Sequence, residues 1–372
     1  MTGTLTWDQV RAWRVQRSHL EERAPHRKLL DVVSDVCAIQ AQVQSAAELS
    51  LWARVEDLTP QDVRDALWKR RSLVRTWSLR GTLHFHRSIE LPLYVAALSQ
   101  NRRWWTGAWL KYVGLDAAGL EQLLKAIRGA LTERPMTREE LAAKIERRVG
   151  PRVRKEMASG WGTLLKPAAF HGALVSGPPR GQNVTFVRPD RWLRRWQSID
   201  GDEAMGEVYR RYLRTFGPAT HLDFAAWWGD QPGRFKEARL RLEDEELEQV
   251  SIDGTKAWAV ASDARKMARK KASTSVRLLP NFDAYVMGFR PRERFHDKRV
   301  AARIFRTAGW ISPVVLVGGR LEGVWGYERG SPGVEVTVEP FGKLPGATKK
   351  AVAEEVDRLG RFLDAPTRVR YA

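Results

Sequence analysis

Apolar positions along this chain recur first at helical spacing and then at strand spacing, and that order repeats. Trp7, Val10, Trp13 and Leu20 share one face of a helix over 7–20, which Thr6 or Asp8 can cap. A second helix, 28–40, carries Leu29, Leu30, Val32, Val33, Val36, Cys37 and Ile39 and ends among three closely spaced amides, Gln40, Gln42 and Gln44. A third spans 45–55 through Ala46, Leu49, Leu51, Trp52 and Val55, and Thr59-Pro60 opens a fourth that runs to Arg70. The period then drops to two. Leu73, Arg75 and Trp77 alternate with Val74, Thr76 and Ser78, Arg80-Gly81 makes a turn, and 82–86 returns as a second strand.

Helices followed by a β-hairpin outline a winged helix, and the outline returns twice. Helices at 116–133, 136–148 and 154–171 precede strands at 173–176 and 183–187, joined through Gly-Pro-Pro-Arg-Gly. Helices at 203–216, 221–228 and 234–242 precede strands at 247–252 and 256–260, joined at Asp253-Gly254. Three such units in series argue for a tandem array. From 275 onward the pattern is β: short strands at 276–280, 284–288, 313–317, 321–325 and 334–338, with a closing helix over 348–362. The expected class is α+β. Its parts are winged helices at 5–115, 116–200 and 201–272, then a small β-barrel or sandwich with a terminal helix at 273–372.

Charge narrows the partner. Lys and Arg number 63 against 44 acids, a net +19, which favours a polyanion such as nucleic acid or a membrane surface. A generally arginine-rich composition is the plain alternative. Between Ser262 and Arg306 lie 13 basic and 4 acidic residues. Arg265, Lys266, Arg269, Lys270, Lys271, Arg290 and Arg292 there read as a track for phosphates rather than a reader of sequence. No run approaches the roughly 18 apolar residues that a membrane span needs, and the start lacks a secretion signal. A cytoplasmic, nucleoid-associated protein is expected. The single cysteine, Cys37, excludes an intrachain disulfide and a cysteine zinc site, and the scattered histidines show no ligand spacing. No metal or cofactor is expected. No heptad seam points to a dimer, so a monomer is expected. Trp104-Trp105 and Trp227-Trp228 sit among apolar residues and read as packing before they read as base-stacking platforms.

Gln40-Ala-Gln42, Arg75-Thr-Trp-Ser-Leu-Arg-Gly-Thr-Leu-His84, Trp227-Trp228-Gly229, Leu279-Pro-Asn-Phe-Asp283 with Gly288, and Gly319-Arg-Leu-Glu-Gly-Val-Trp325 together resemble the AlkZ-like family of bacterial winged-helix DNA glycosylases. The likeness spans nearly the whole chain. Gln40, Ala41 and Gln42 match the branch with a Gln-apolar-Gln motif rather than the Gln-x-Asp branch. The resemblance implies three tandem winged helices forming a concave DNA channel, a C-terminal β-barrel, and excision of alkylated purines with unhooking of interstrand crosslinks from double-stranded DNA.

The residues suit that chemistry. Hydrolysing an N-glycosidic bond requires stabilising an oxocarbenium-like sugar and placing a water at its anomeric carbon. A purine alkylated on its imidazole ring is already cationic and leaves neutral, so positioning and electrostatics can suffice. A glutamine is no general base, but its carbonyl accepts from water and its amide donates to sugar or phosphate oxygens. Gln40 and Gln42 are therefore the candidate catalytic pair, with Gln42 the more critical. On a continuous helix they would diverge by about 200°, so both face one site only if the helix stops there. A polar helix end is the alternative for this pair. Arg75, Arg80, Thr82 and His84 on the hairpin are candidate DNA contacts, with Arg80 at the turn placed for a phosphate or groove contact and His84 for a hydrogen bond to the sugar-phosphate. For His84 the alternative is an ordinary strand histidine. A crosslinked base cannot be flipped fully out of the duplex, so an open site suits it better than a closed pocket. A non-catalytic winged-helix regulator is the rival function; a protein-interaction scaffold fits the charge poorly.

Overall fold

The computed structural model describes residues 3–157, 162–230, 246–288 and 290–372. The first strand, β1 (Thr4–Leu5), leads into α1 (Trp7–Arg17), where Thr6 and Gln9 cap each other reciprocally. Helix α2 (Leu29–Asp35) stops five residues short of Gln40. The backbone turns left-handed at Cys37, φ 62°, and continues at Ala38 with φ 142°. It then runs extended as β2 (Ile39–Gln40). The expected helix over 28–40 is thus too long. Val36 to Ile39 are all buried, and a continuous apolar run has no period with which to tell helix from strand.

Helices α3 (Gln44–Trp52) and α4 (Pro60–Trp68) lead to the hairpin β3 (Leu73–Trp77) and β4 (Leu83–Arg87). Two helices absent from the sequence reading follow, α5 (Leu91–Ser99) and α6 (Gly107–Val113). Then come α7 (Ala117–Ala130), capped by Asp116, β5 (Met136–Thr137), α8 (Arg138–Met157), which breaks at Gly150, and α9 (Leu165–Phe170). Strands β6 (Val175–Arg180) and β7 (Asn183–Val187) absorb the expected Gly-Pro-Pro-Arg turn into β6. The register shifts between Gly177 and Arg180, and β6 is an edge strand, where prolines cost no ladder bond.

After α10 (Pro189–Trp192), α11 (Gly201–Phe216) and α12 (His221–Trp228), the helix expected over 234–242 falls outside the described residues. The hairpin β8 (Leu247–Ile252) and β9 (Thr255–Val260) turns at Asp253 and Gly254, both at positive φ. Helix α13 (Ala261–Met267) and strand β10 (Val276–Leu279) follow. The expected strand over 284–288 is instead the helix α14 (Ala284–Gly288). Asp283 accepts the Tyr285 N–H at 2.9 Å, a cap that the short apolar run did not announce. The chain closes with α15 (Ala301–Ile304), β11 (Val314–Val317), β12 (Arg320–Arg329), β13 (Val334–Pro340), α16 (Gly346–Leu363) and β14 (Thr367–Tyr371).

The chain divides into two compact units. The first comprises Met1–Val63, Tyr209–Trp227 and Leu242–Ala372. It holds a five-stranded sheet in the order β10-β11-β12-β13-β14 and a smaller one in the order β1-β8-β9. The larger sheet is antiparallel until its last strand, which joins β13 in parallel. Helix α16 packs against both β10 and β14, and its Val352, Val356 and Leu359 are buried. The expected barrel or sandwich is not found. Among the described residues this sheet is open, with β10 and β14 as its edges and a helix covering one face where a closed or second sheet was expected.

The second unit comprises Arg64–Val208 and Trp228–Arg241. It contains the β3–β4 hairpin and a sheet in the order β5-β7-β6, with Val74, Leu91, Val175, Val187, Trp192 and Leu193 in one core cluster. No helix among the described residues is long and apolar enough to cross a membrane.

Candidate active site

The Gln40-Ala41-Gln42 segment belongs to the first unit and is anchored at both ends. Before it, Cys37 and Ala38 are buried and adopt the positive φ angles already noted. After it, Gln44 begins α3. Gln40 is 7% exposed, Ala41 is fully buried and Gln42 is exposed. Gln40 ends the short strand β2 and Gln42 lies at the bend after it, so helical spacing does not govern the two amides. The buried amide sits beside an exposed one on a short segment held between a strand and a helix.

The helix that follows is fastened to the segment between β10 and α14. Arg54 and Asp283 are both inaccessible to solvent and meet through two bonds of 2.7 Å, from Nη1 to Oδ2 and from Nη2 to Oδ1. The Ser50 hydroxyl donates to the same carboxylate at 2.7 Å. Bidentate geometry of this kind is the strong form of a charged hydrogen bond. It also explains Asp283 in Leu279-Pro-Asn-Phe-Asp283. Inside α3, Glu48 is 5% exposed and accepts the Gln44 side-chain amide at 3.0 Å. Gln44 is therefore a tied amide rather than loose surface. Sequence reading passed over Glu48; the signal was a carboxylate four residues after Gln44 on an otherwise apolar helix.

The hairpin belongs to the second unit. Leu73 pairs with Arg87, Thr76 with His84 and Trp77 with Leu83. Arg75 lies on β3 and is half-buried, and burial lowers the pKa of its guanidinium. Arg80 occupies the turn in the left-handed region, φ 58° and ψ 7°. Gly229 seats that turn: a β-carbon on Gly229 would lie 2.6 Å from the Arg80 Cα. Only glycine fits so close a backbone approach at φ +88°, which accounts for the glycine of Trp227-Trp228-Gly229.

His84 and Arg80 are joined directly. Nη2 of Arg80 donates to Nε2 of His84 at 3.1 Å, and Nδ1 of His84 donates to the Thr82 carbonyl at 3.0 Å. An imidazole with one ring nitrogen accepting and the other donating is neutral. Burial, followed by the Arg80 and His86 charges, holds the His84 pKa well below its ordinary value. Burial likewise lowers His86 to about 3, while its Nε2 meets the Ser78 hydroxyl at 3.0 Å. His84 is 2% exposed, so it supports Arg80 and presents little surface of its own to a sugar-phosphate. Thr82 turns its hydroxyl to the Leu79 carbonyl at 3.2 Å.

Arg265 and Lys266 lie on α13 and Arg269, Lys270 and Lys271 just beyond it; all are exposed except the half-buried Lys270. Arg290 and Arg292 are half-buried. Arg292 packs 4.0 Å from the centre of the Phe305 ring, and burial with the neighbouring Arg290 lowers it to about 10. Its guanidinium is thus engaged with an aromatic ring. Trp104, Trp227 and Trp228 are buried, in keeping with their reading as packing.

A family model described as DNA glycosylase AlkZ-like matches residues 33–362. An interstrand DNA cross-link repair glycosylase from Streptomyces sahachiroi is 33% identical over 370 residues, covering 96% of each protein. The solved structure of DNA glycosylase AlkZ from the same organism matches with a TM-score of 0.88 and 32% identity, over 99% of this chain and 100% of that one.

Proposed function

The chain belongs to the AlkZ-like family of DNA glycosylases, and from that premise we propose that it hydrolyses the N-glycosidic bond of purines made cationic by alkylation, unhooking interstrand crosslinks among them. Water adds to the anomeric carbon while the bond to the purine breaks, and the protonated hydroxyl so formed gives its extra proton to solvent. The bonding electrons pass to the base and cancel its positive charge, leaving an abasic site. Gln42, the exposed member of the pair, holds the water through its side-chain carbonyl. Gln40, buried beside it, fixes the segment and orients its partner. Two neutral amides suffice because the leaving group needs no proton.

The observation that carries this reading is the Gln40–Gln42 segment itself, one amide buried and one exposed between a strand and the fastened helix α3. The relative from Streptomyces sahachiroi, named for interstrand crosslink repair, supports the crosslink as a substrate. The partner is double-stranded DNA, bound by a monomer through the Arg80 turn and the basic residues on and after α13. The three helix–hairpin units over 5–115, 116–200 and 201–272 serve as winged helices, and 273–372 as the β-rich end. The protein works in the cytoplasm, on the nucleoid.

The test is incubation with a duplex carrying one methylated or mustard-crosslinked guanine, followed by alkaline strand scission. Cleavage at the modified guanine supports the reading. Tight binding without abasic product leaves a DNA-gripping protein and removes the enzyme.

A further inference from the structure

We propose that Arg103 and Lys166, with Arg80, form a cradle for one backbone phosphate at the turn of the β3–β4 hairpin; this rests on the DNA reading above and assigns two residues that it did not use. The three cations come from three separate stretches of the second unit. Arg80 lies in the turn, Arg103 in the 3-10 turn Arg103–Trp105, and Lys166 in the first turn of α9. Arg103 and Lys166 approach Gly81, the residue that follows Arg80 in the turn. A β-carbon there would lie 3.9 Å from Nη1 of Arg103 and 4.0 Å from Cδ of Lys166. Both side chains therefore flank one point on the turn, immediately after the residue whose guanidinium His84 supports.

Like charges held this close repel unless an anion sits between them. Among the described residues no carboxylate pairs with Arg103 or Lys166. Burial, and then the charge of Arg103, lowers the pKa of Lys166, in keeping with two cations set close together. Both are half-buried. Arg103 also lies 5.2 Å from the Trp104 ring centre, and the Arg103 N–H donates to Asn101 Oδ1 at 2.9 Å. Gly81 itself, buried at φ 73°, is lined by the Arg103 guanidinium, the Trp104 ring and the Lys166 stem at ordinary contact distance, so the anion would meet the exposed parts of the two cations at the rim of the turn rather than the glycine. A phosphodiester oxygen pair is the anion that a DNA-bound protein meets there, and contacts of this kind position the duplex without reading its sequence.

The experiment measures binding of Arg103→Gln, Lys166→Gln and the double variant to two undamaged duplexes of unrelated sequence across a salt series. Lys350→Gln on α16 and Lys166→Arg serve as controls, and far-UV circular dichroism checks folding. The double variant is expected to bind several-fold more weakly, equally on both sequences, with the slope of log K against log salt shallower by about 1. Lys166→Arg is expected to recover most of the loss, and Lys350→Gln to show none. An unchanged slope in a folded double variant overturns the cradle, as does a loss confined to one sequence. Failure of the glycosylase reading is a separate outcome: wild-type protein bound to damaged DNA that yields no abasic site.

Discussion

Nη2 of Arg80 lies 3.1 Å from Nε2 of His84, whose other ring nitrogen is spent on the Thr82 carbonyl at 3.0 Å. The imidazole therefore serves as an acceptor that aims a guanidinium held in a left-handed turn. Removing it in His84→Ala is expected to weaken duplex binding nearly as much as Arg80→Ala does. The double variant should lose little beyond either single one, since residues acting as a unit are not additive. A hydrogen bond to a charged group contributes about 1.5–3 kcal/mol, so the loss should approach tenfold or more. Full additivity in a double-mutant cycle would remove the link.

Acid should loosen the hairpin before it affects most carboxylates. His84 and His86 are held neutral by burial, His86 down to about 3. Their pKa values are lower folded than unfolded, so the unfolded chain binds more protons below an ordinary histidine pKa of about 6.5. Their contribution is complete above that pH and is lost as pH falls through it towards the folded values. Each group should add a slope approaching 1.4 kcal/mol per pH unit. Denaturant melts between pH 7 and pH 4 check this, with a smaller slope expected in His86→Gln. An equal slope in that variant contradicts it.

Gly229→Ala asks for space and backbone freedom that the turn does not have. The added carbon would lie 2.6 Å from the Arg80 Cα, at φ +88°. A destabilisation of about 2 kcal/mol or more is expected, from positive-φ strain and the forced shift together. Gly254→Ala is the comparison: its φ of +85° is similar, but nothing lies within 4 Å. The thermal midpoint of Gly229→Ala should fall further; equal shifts would discount the close approach.

The buried pair behind α3 predicts an asymmetry. Arg54→Met or Asp283→Asn alone leaves an uncompensated partner without solvent, and a loss of about 3–5 kcal/mol is expected. Replacing both with apolar residues should cost less than the sum, because the isolated charge disappears with its partner. Chemical denaturation of the three variants checks this, and strict additivity would count against it.

Much of this arrangement was legible beforehand. Thr6, one of two caps considered, Thr59-Pro60, the Arg80-Gly81 turn and Asp253-Gly254 each mark a boundary by local chemistry, and each stands at a boundary in the structure. What was not legible lacks local chemistry. Helix α5, apolar on every side, has no amphipathic period, and Ala284–Gly288 is too short for one. The run from Val36 to Ile39 hid a helix end because all its residues are buried whichever way the backbone turns. For the site, the amide pair and Arg80 were visible as polar residues in apolar company. The support beneath them was not: the meeting of Gly229 with Arg80, of Arg54 with Asp283, and of Arg103 with Lys166 spans separations in sequence that no pattern of spacing records.

The central claim is that two neutral amides remove a purine already carrying its own positive charge, and single-turnover excision kinetics test it most directly. Wild-type protein, Gln40→Ala and Gln42→Ala are compared at saturating protein on duplexes containing 7-methylguanine or unmodified guanine at one position. The account predicts excision of 7-methylguanine only, a fall of about a hundredfold or more for Gln42→Ala, by analogy with the loss of one transition-state hydrogen-bonding group, and a smaller fall for Gln40→Ala. An undiminished Gln42→Ala rate, or release of unmodified guanine at a comparable rate, would contradict it.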